Sequence, residues 1–148
     1  AITMMNKKEI EVSFFPQGIL AEKIRAGGAG LLAIVTDIGI NTILRREEDV
    51  VHIAGREGMI EPALRANIAL IHAAKADKAG NLVYEKSARN FNPLMATAAD
   101  LVIAEAETIV ETGEIPADQV HTPGAFIDHV VPIGELLSEY GVLQHHVR

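Results

Sequence analysis

Arg89 and Asn90, within Ser87-Ala88-Arg89-Asn90-Phe91-Asn92-Pro93, are well equipped to hold an oxygen-rich ligand. A guanidinium pairs a carboxylate through two parallel N–H···O bonds, and an amide can fix a carbonyl. The segment joins a strand to the start of a helix, where backbone N–H groups lack intrahelical partners and suit an anion. A structural reading stands beside this one: Arg89 holds the loop by an internal ion pair, and Asn92 caps the helix. Gly27-Gly28-Ala29-Gly30 is a second place where backbone donors could approach a ligand, since no side chain blocks Gly28, Ala29 or Gly30 from close contact. The same residues also read as a helix C-cap and a tight turn into a strand.

Other chemistries lack the residues they need. There is no cysteine, hence no disulfide, thiolate metal site or thiol nucleophile. His52, His72, His121 and His129 are scattered without ligand spacing and His145-His146 sits near the end, so no metal site is expected. Each histidine reads as a polar lining or surface residue. No phosphate-binding P-loop or nucleophile elbow is present, which leaves nucleotide and serine hydrolysis unsupported.

The elements that must position these residues belong to one domain, since 148 residues suit a single core. Nearly half the residues are apolar, the composition of a buried sheet covered by helices. Thirteen Lys and Arg against 20 Asp and Glu give a net charge of -7, and no dense basic run occurs, which disfavours nucleic acid. No apolar run approaches the roughly 20 residues that span a bilayer, and the first residues lack signal-peptide character. A cytoplasmic protein without a membrane partner is the expectation.

Alternation of Ile10, Val12 and Phe14 with Glu9, Glu11 and Ser13 predicts a strand over 9–15, closed by Pro16-Gln17-Gly18. Ile19, Leu20 and Ile24 predict a helix over 19–25, with Glu22, Lys23 and Arg25 on its polar side and Gly27-Gly28 as its stop. Strands are expected at 31–36, 67–73 and 101–104, with 39–42 a loop. Val50 to Ile53 and Met59-Ile60 flank Gly55-Arg56-Glu57-Gly58 as a small hairpin. Asp77 to Asn81 has turn chemistry leading into Leu82-Val83-Tyr84, and Asn92-Pro93 should open a helix reaching Ala99. One further apolar run covers 126–131, and residues 134–148 read as a short helix from Gly134 to Tyr140 and a tail. The pattern is α/β without repeats or linkers.

Five blocks together carry a family resemblance. They are Glu9 to Val12 through Pro16-Gln17-Gly18, Ala21 to Gly30, Ala74 to Tyr84, Ser87 to Pro93, and His121-Thr122-Pro123-Gly124. In this order and spacing the chain resembles the α-type half of family I coenzyme A transferases, the group of acetoacetate, butyrate-acetate and succinyl:3-oxoacid transferases, from about Glu9 to Val131. The resemblance implies an open, mostly parallel sheet with flanking helices. It also implies a half that lacks the family's first segment, with its glycine-rich turn and asparagine pair.

By the same resemblance, a glutamate attacks an acyl-CoA thioester, passes through a mixed anhydride and becomes a glutamyl-CoA thioester, which the second acid cleaves. That glutamate lies in the β-type half, in a Ser-Glu-Asn-Gly motif absent here, so no catalytic residue is expected in this chain. Gln17 matches the family's glutamine beside the acyl group, an amide able to donate to charge building on oxygen; the alternative is a plain strand-end turn. The resemblance further implies a hetero-oligomer with a β-type partner, coenzyme A as substrate with no permanently bound cofactor, and a place in short-chain acyl or ketone-body metabolism. Ser138-Glu139-Tyr140-Gly141 echoes the glutamate motif, but in a terminal amphipathic helix it reads as a solvated carboxylate. Two other readings stay open: a scaffold or metabolite-binding domain, and a sugar-phosphate isomerase of related architecture.

Overall fold

The computed structural model describes residues 2–133; the helix expected at Gly134 to Tyr140, Glu139 and the tail lie outside them. The chain opens with a short helix, α1 (Ile2–Asn6), and then runs extended to Pro16. The strand expected over 9–15 does not form. Ile10, Val12 and Phe14 remain 37%, 38% and 75% exposed, with no strand beside them among the described residues. Alternation marks a strand only where a neighbour takes its hydrogen bonds and a core covers one face.

The long helix α2 (Gln17–Gly28) follows Pro16 directly. Its buried residues, Ile19, Lys23, Ala26 and Gly27, recur at the helical period and form one stripe. Lys23 is therefore on the covered face, not on the polar side where its charge alone would put it. The helix ends in a Schellman motif: Gly30 has φ +74°, its N–H donates to the Gly27 carbonyl, and the Leu31 N–H donates to the Ala26 carbonyl. The helix thus stops at Gly28, within the pair expected to end it, and Gly30 completes the cap because it can hold a left-handed conformation without strain.

Strands β1 (Ala33–Thr36), β2 (Val50–Ile53) and β3 (Arg56–Pro62) make an antiparallel sheet in the order β1-β3-β2. The expected hairpin joins β2 to β3, but its turn is Ala54-Gly55, both at positive φ, with Ile53 opposite Arg56. Positive φ at both central positions matches the twist of the flanking strands. Arg56 to Gly58, expected as loop, extends β3, and β1 adds a third strand that the local pattern did not pair.

A three-residue link after Pro62 leads into the second sheet, of β4 (Ala66–Asp77), β5 (Leu82–Val83), β6 (Ala99–Val110) and β7 (His129–Pro132). The order is β5-β4-β6-β7, parallel except for β5. This is the mostly parallel α/β sheet that the resemblance implied. Helix α3 (Asn92–Thr97) connects to β6 and covers one face, where Ala69, Ile71 and Ala73 meet Val102, Ala104 and Ala106 around Ala96, Leu82 and Tyr84. Rows of alanine let helix and sheet approach closely. Asp77, 1% exposed, makes the expected turn by accepting from the Ala79 and Asn81 N–H groups and the Asn81 amide. Burial alone would raise its pKa, but these donors hold it below the ordinary value.

Candidate functional site

Gln17 is the first residue of α2 and is exposed. The first turn closes with the Leu20 N–H on the Pro16 carbonyl, so the N–H groups of Gln17, Gly18 and Ile19 precede any intrahelical bond. The Gln17 amide has no hydrogen-bond partner among the described residues. The approach to this end is fixed by a buried ionic group that residue types alone did not reveal. The Lys23 ammonium donates to Glu61 at 2.9 Å, Arg46 donates to Glu61 at 2.8 Å and to Asp49 at 2.5 Å, and Lys23 lies 4.7 Å from the centre of the Phe15 ring. Phe15 is two residues before Gln17, so the strip ahead of α2 is held against the antiparallel sheet. The spacing of Lys23 from Ile19 and Ala26 was the available signal.

Gly28, Ala29 and Gly30 stand at the far end of α2, roughly 16 Å from Gln17 at 1.5 Å per residue. One compact site cannot contain both ends. The Ala29 and Gly30 N–H groups are engaged by the Arg25 and Gly27 carbonyls. A Cβ on Gly28 would lie 2.1 Å from the Thr97 hydroxyl, so the glycine permits contact with the end of α3. The geometry follows the cap-and-turn alternative.

Ser87 to Pro93 is the most distinctive segment. Lys86–Arg89 forms a 3-10 turn, and Asn90 is exposed just after it. Asn92 does not cap α3: its carbonyl accepts the His72 N–H at 3.3 Å and its amide donates to the Ala88 carbonyl at 2.8 Å, which ties the turn to β4. Arg25, Arg45, Arg46, Arg56 and Arg65 each donate to a carboxylate or carbonyl. Arg89 makes no such bond among the described residues, and the internal ion pair offered as its structural role is not formed there. An exposed guanidinium held on a braced turn is a ready partner for a carboxylate.

Near this turn, His121 accepts the Tyr84 N–H and stacks on the Tyr84 ring, an arrangement that scattered histidine spacing could not indicate. No group of acidic residues and histidines among the described residues is arranged to hold a metal ion, and no helix there is long and apolar enough to cross a membrane.

The coenzyme A transferase family model matches residues 3–132. The chain belongs to the coenzyme A transferase family. Among its relatives, a probable coenzyme A transferase subunit alpha of Bacillus subtilis is 53% identical over 128 residues, 86% of this chain and 56% of that protein. An acetate CoA-transferase subunit alpha of Escherichia coli is 46% identical, covering 83% of this chain and 56% of the relative. A solved structure of a variant of the decarboxylase AibA/AibB superposes with a TM-score of 0.73 at 28% identity, over 89% of this chain and 50% of the other. The chain spans about half the length of these coenzyme A transferase subunits.

Proposed function

We propose that this chain is one α-type unit of a CoA-transferase that moves coenzyme A between a short acyl-CoA and a small carboxylic or 3-oxo acid. The family match over residues 3–132 carries this reading. A β-type partner supplies the nucleophilic glutamate, and coenzyme A enters as substrate. Gln17, with its uncommitted amide at the start of α2, donates to the oxygen on which charge accumulates. Arg89 takes the acid's carboxylate and Asn90 orients it, while Gly28 lets α2 pack on α3 and Ala29 and Gly30 close the helix end. Co-expression with a β-type subunit and exchange of isotopically labelled acetate into acyl-CoA tests the proposal. Exchange by the complex supports it, and inactivity in every pairing sinks it in favour of a scaffold.

Two substitutions separate the roles. Gln17→Ala in that complex lowers kcat by about 100-fold, the usual effect of removing one oxyanion donor; unchanged kinetics removes Gln17 from the site. Arg89→Ala raises KM for the acid by roughly 10- to 100-fold, the worth of a charged hydrogen bond, while the melting temperature holds. Lysine does not restore it, because an ammonium lacks the planar fork. A collapse in melting temperature with unchanged KM would make Arg89 structural. The likeness to a decarboxylase favours one second reading, loss of carbon dioxide from a carboxylated acyl-CoA, which trapping of labelled carbon dioxide in the same assay detects.

A further inference from the structure

We propose that His121 is a fixed, neutral Nε2–H donor that joins Arg89 in binding the small carboxylic acid. This rests on the role given to Arg89 above. Three restraints hold the imidazole. The His121 N–H donates to the Leu82 carbonyl and Leu82 bridges Thr122, which ties the segment to the end of β5. The Tyr84 N–H donates to His121 Nδ1 at 2.8 Å. The two rings stack with centroids 6.0 Å apart and planes 20° from parallel. Tyr84 is itself anchored, 2% exposed with its hydroxyl 2.8 Å from that of Thr122.

The Nδ1 bond decides the protonation. A ring nitrogen that accepts an N–H has its lone pair in the plane, so the single proton of the neutral ring is on Nε2. Adding a second proton would set an N–H against the Tyr84 N–H. Burial and the positive charge of Arg89 both push the His121 pKa below its ordinary value, in the same direction. Nε2 has no hydrogen-bond partner among the described residues.

The turn that carries Arg89 starts at Lys86, two residues beyond the Tyr84 that holds the imidazole. A guanidinium and a neutral donor are complementary: the first neutralises a carboxylate, and the second adds a directional bond without a second cation to repel the first. A ring held in one tautomer by the Tyr84 N–H presents this donor in a fixed direction.

Nitrogen-15 NMR of the imidazole in the complex with the β-type subunit tests the assignment, using acetate as probe. The expected spectrum is the Nε2–H tautomer at pH 7, with a Nε2 shift on adding acetate that disappears in Arg89→Ala. A Nδ1–H tautomer, or a ring blind to acetate, overturns the proposal. Kinetically, His121→Asn, which can keep an acceptor for the Tyr84 N–H, raises KM for the acid about tenfold with a smaller change in kcat; unchanged KM in a folded variant overturns it. The binding readout does not require turnover. A His121 response without acyl exchange would refute the transferase reading alone, and exchange with a silent His121 would refute this inference alone.

Discussion

Gly27→Ala should lower the thermal midpoint by roughly 5 to 15 °C, because a single methyl group has nowhere to go. A Cβ at this position would stand 2.1 Å from the Leu64 carbonyl oxygen, 2.9 Å from its carbon and 3.0 Å from the Arg65 Cγ. The first two are backbone atoms and cannot swing aside. Moving the segment away would break the Leu64 N–H bond to the Lys23 carbonyl and the Arg65 bond to the Gly27 carbonyl, which dock the start of the second sheet on α2. Gly18→Ala is the control, since a Cβ there meets nothing within 4 Å. In a helix that change should be neutral or stabilise by about 0.5 to 1 kcal/mol. Equal midpoints for the two variants, by calorimetry or circular dichroism, would show that α2 does not pack as described.

Glu61→Leu should destabilise the chain by about 3 to 5 kcal/mol, the range for breaking a buried ion pair. Glu61 is 2% exposed and Lys23 6% exposed; without the carboxylate, the ammonium keeps the face of Phe15 but has no anionic partner among the described residues. Lys23→Met combined with Glu61→Leu should recover most of the loss, because no uncompensated charge remains buried. Urea unfolding of the three proteins decides it, and a double variant no better than Glu61→Leu would refute the account.

The same pair fixes an acid limit. Burial would raise the Glu61 pKa, but hydrogen bonds from Lys23 and Arg46 outweigh it and hold the value below normal. A carboxylate whose folded pKa is depressed contributes stability above its unfolded value, near pH 4.3. That contribution is lost as pH falls through the folded value. Wild-type stability should therefore fall below about pH 4 by a component absent from the double variant.

Much of this fold was legible where local chemistry and tertiary structure agree. The apolar runs of β4 and β6 read as strands because their residues are small or β-branched and alternate ones face the covered side of the sheet, whereas β1, expected as a buried strand over 31–36, has no buried residue, with Leu32 93% and Val35 48% exposed. Asp77-Lys78-Ala79-Gly80-Asn81 read as a turn because the aspartate bonds its own backbone. What misled were patterns whose meaning depends on distant partners. Glu9 to Phe15 alternates correctly but has no neighbour strand, and Lys23 has the wrong charge for a core until Glu61, 38 residues on, supplies its counter-ion. Gln17 came from the resemblance, whereas Arg89 and Asn90 were marked by their own chemistry as well. The open partner capacity of Arg89 and the locked ring of His121 emerged only with the coordinates, since neither a missing ion pair nor a tautomer has a spacing.

Helix α2 packs against β1 and β3 on one side and α3 on the other, and only three residues separate β3 from β4. A form that loses the second sheet and α3 would strip α2 of its contacts with α3, and one that loses the antiparallel sheet would strand the charge of Lys23. Partial unfolding is thus penalised from both sides, and heat should dissolve both sheets in one cooperative transition.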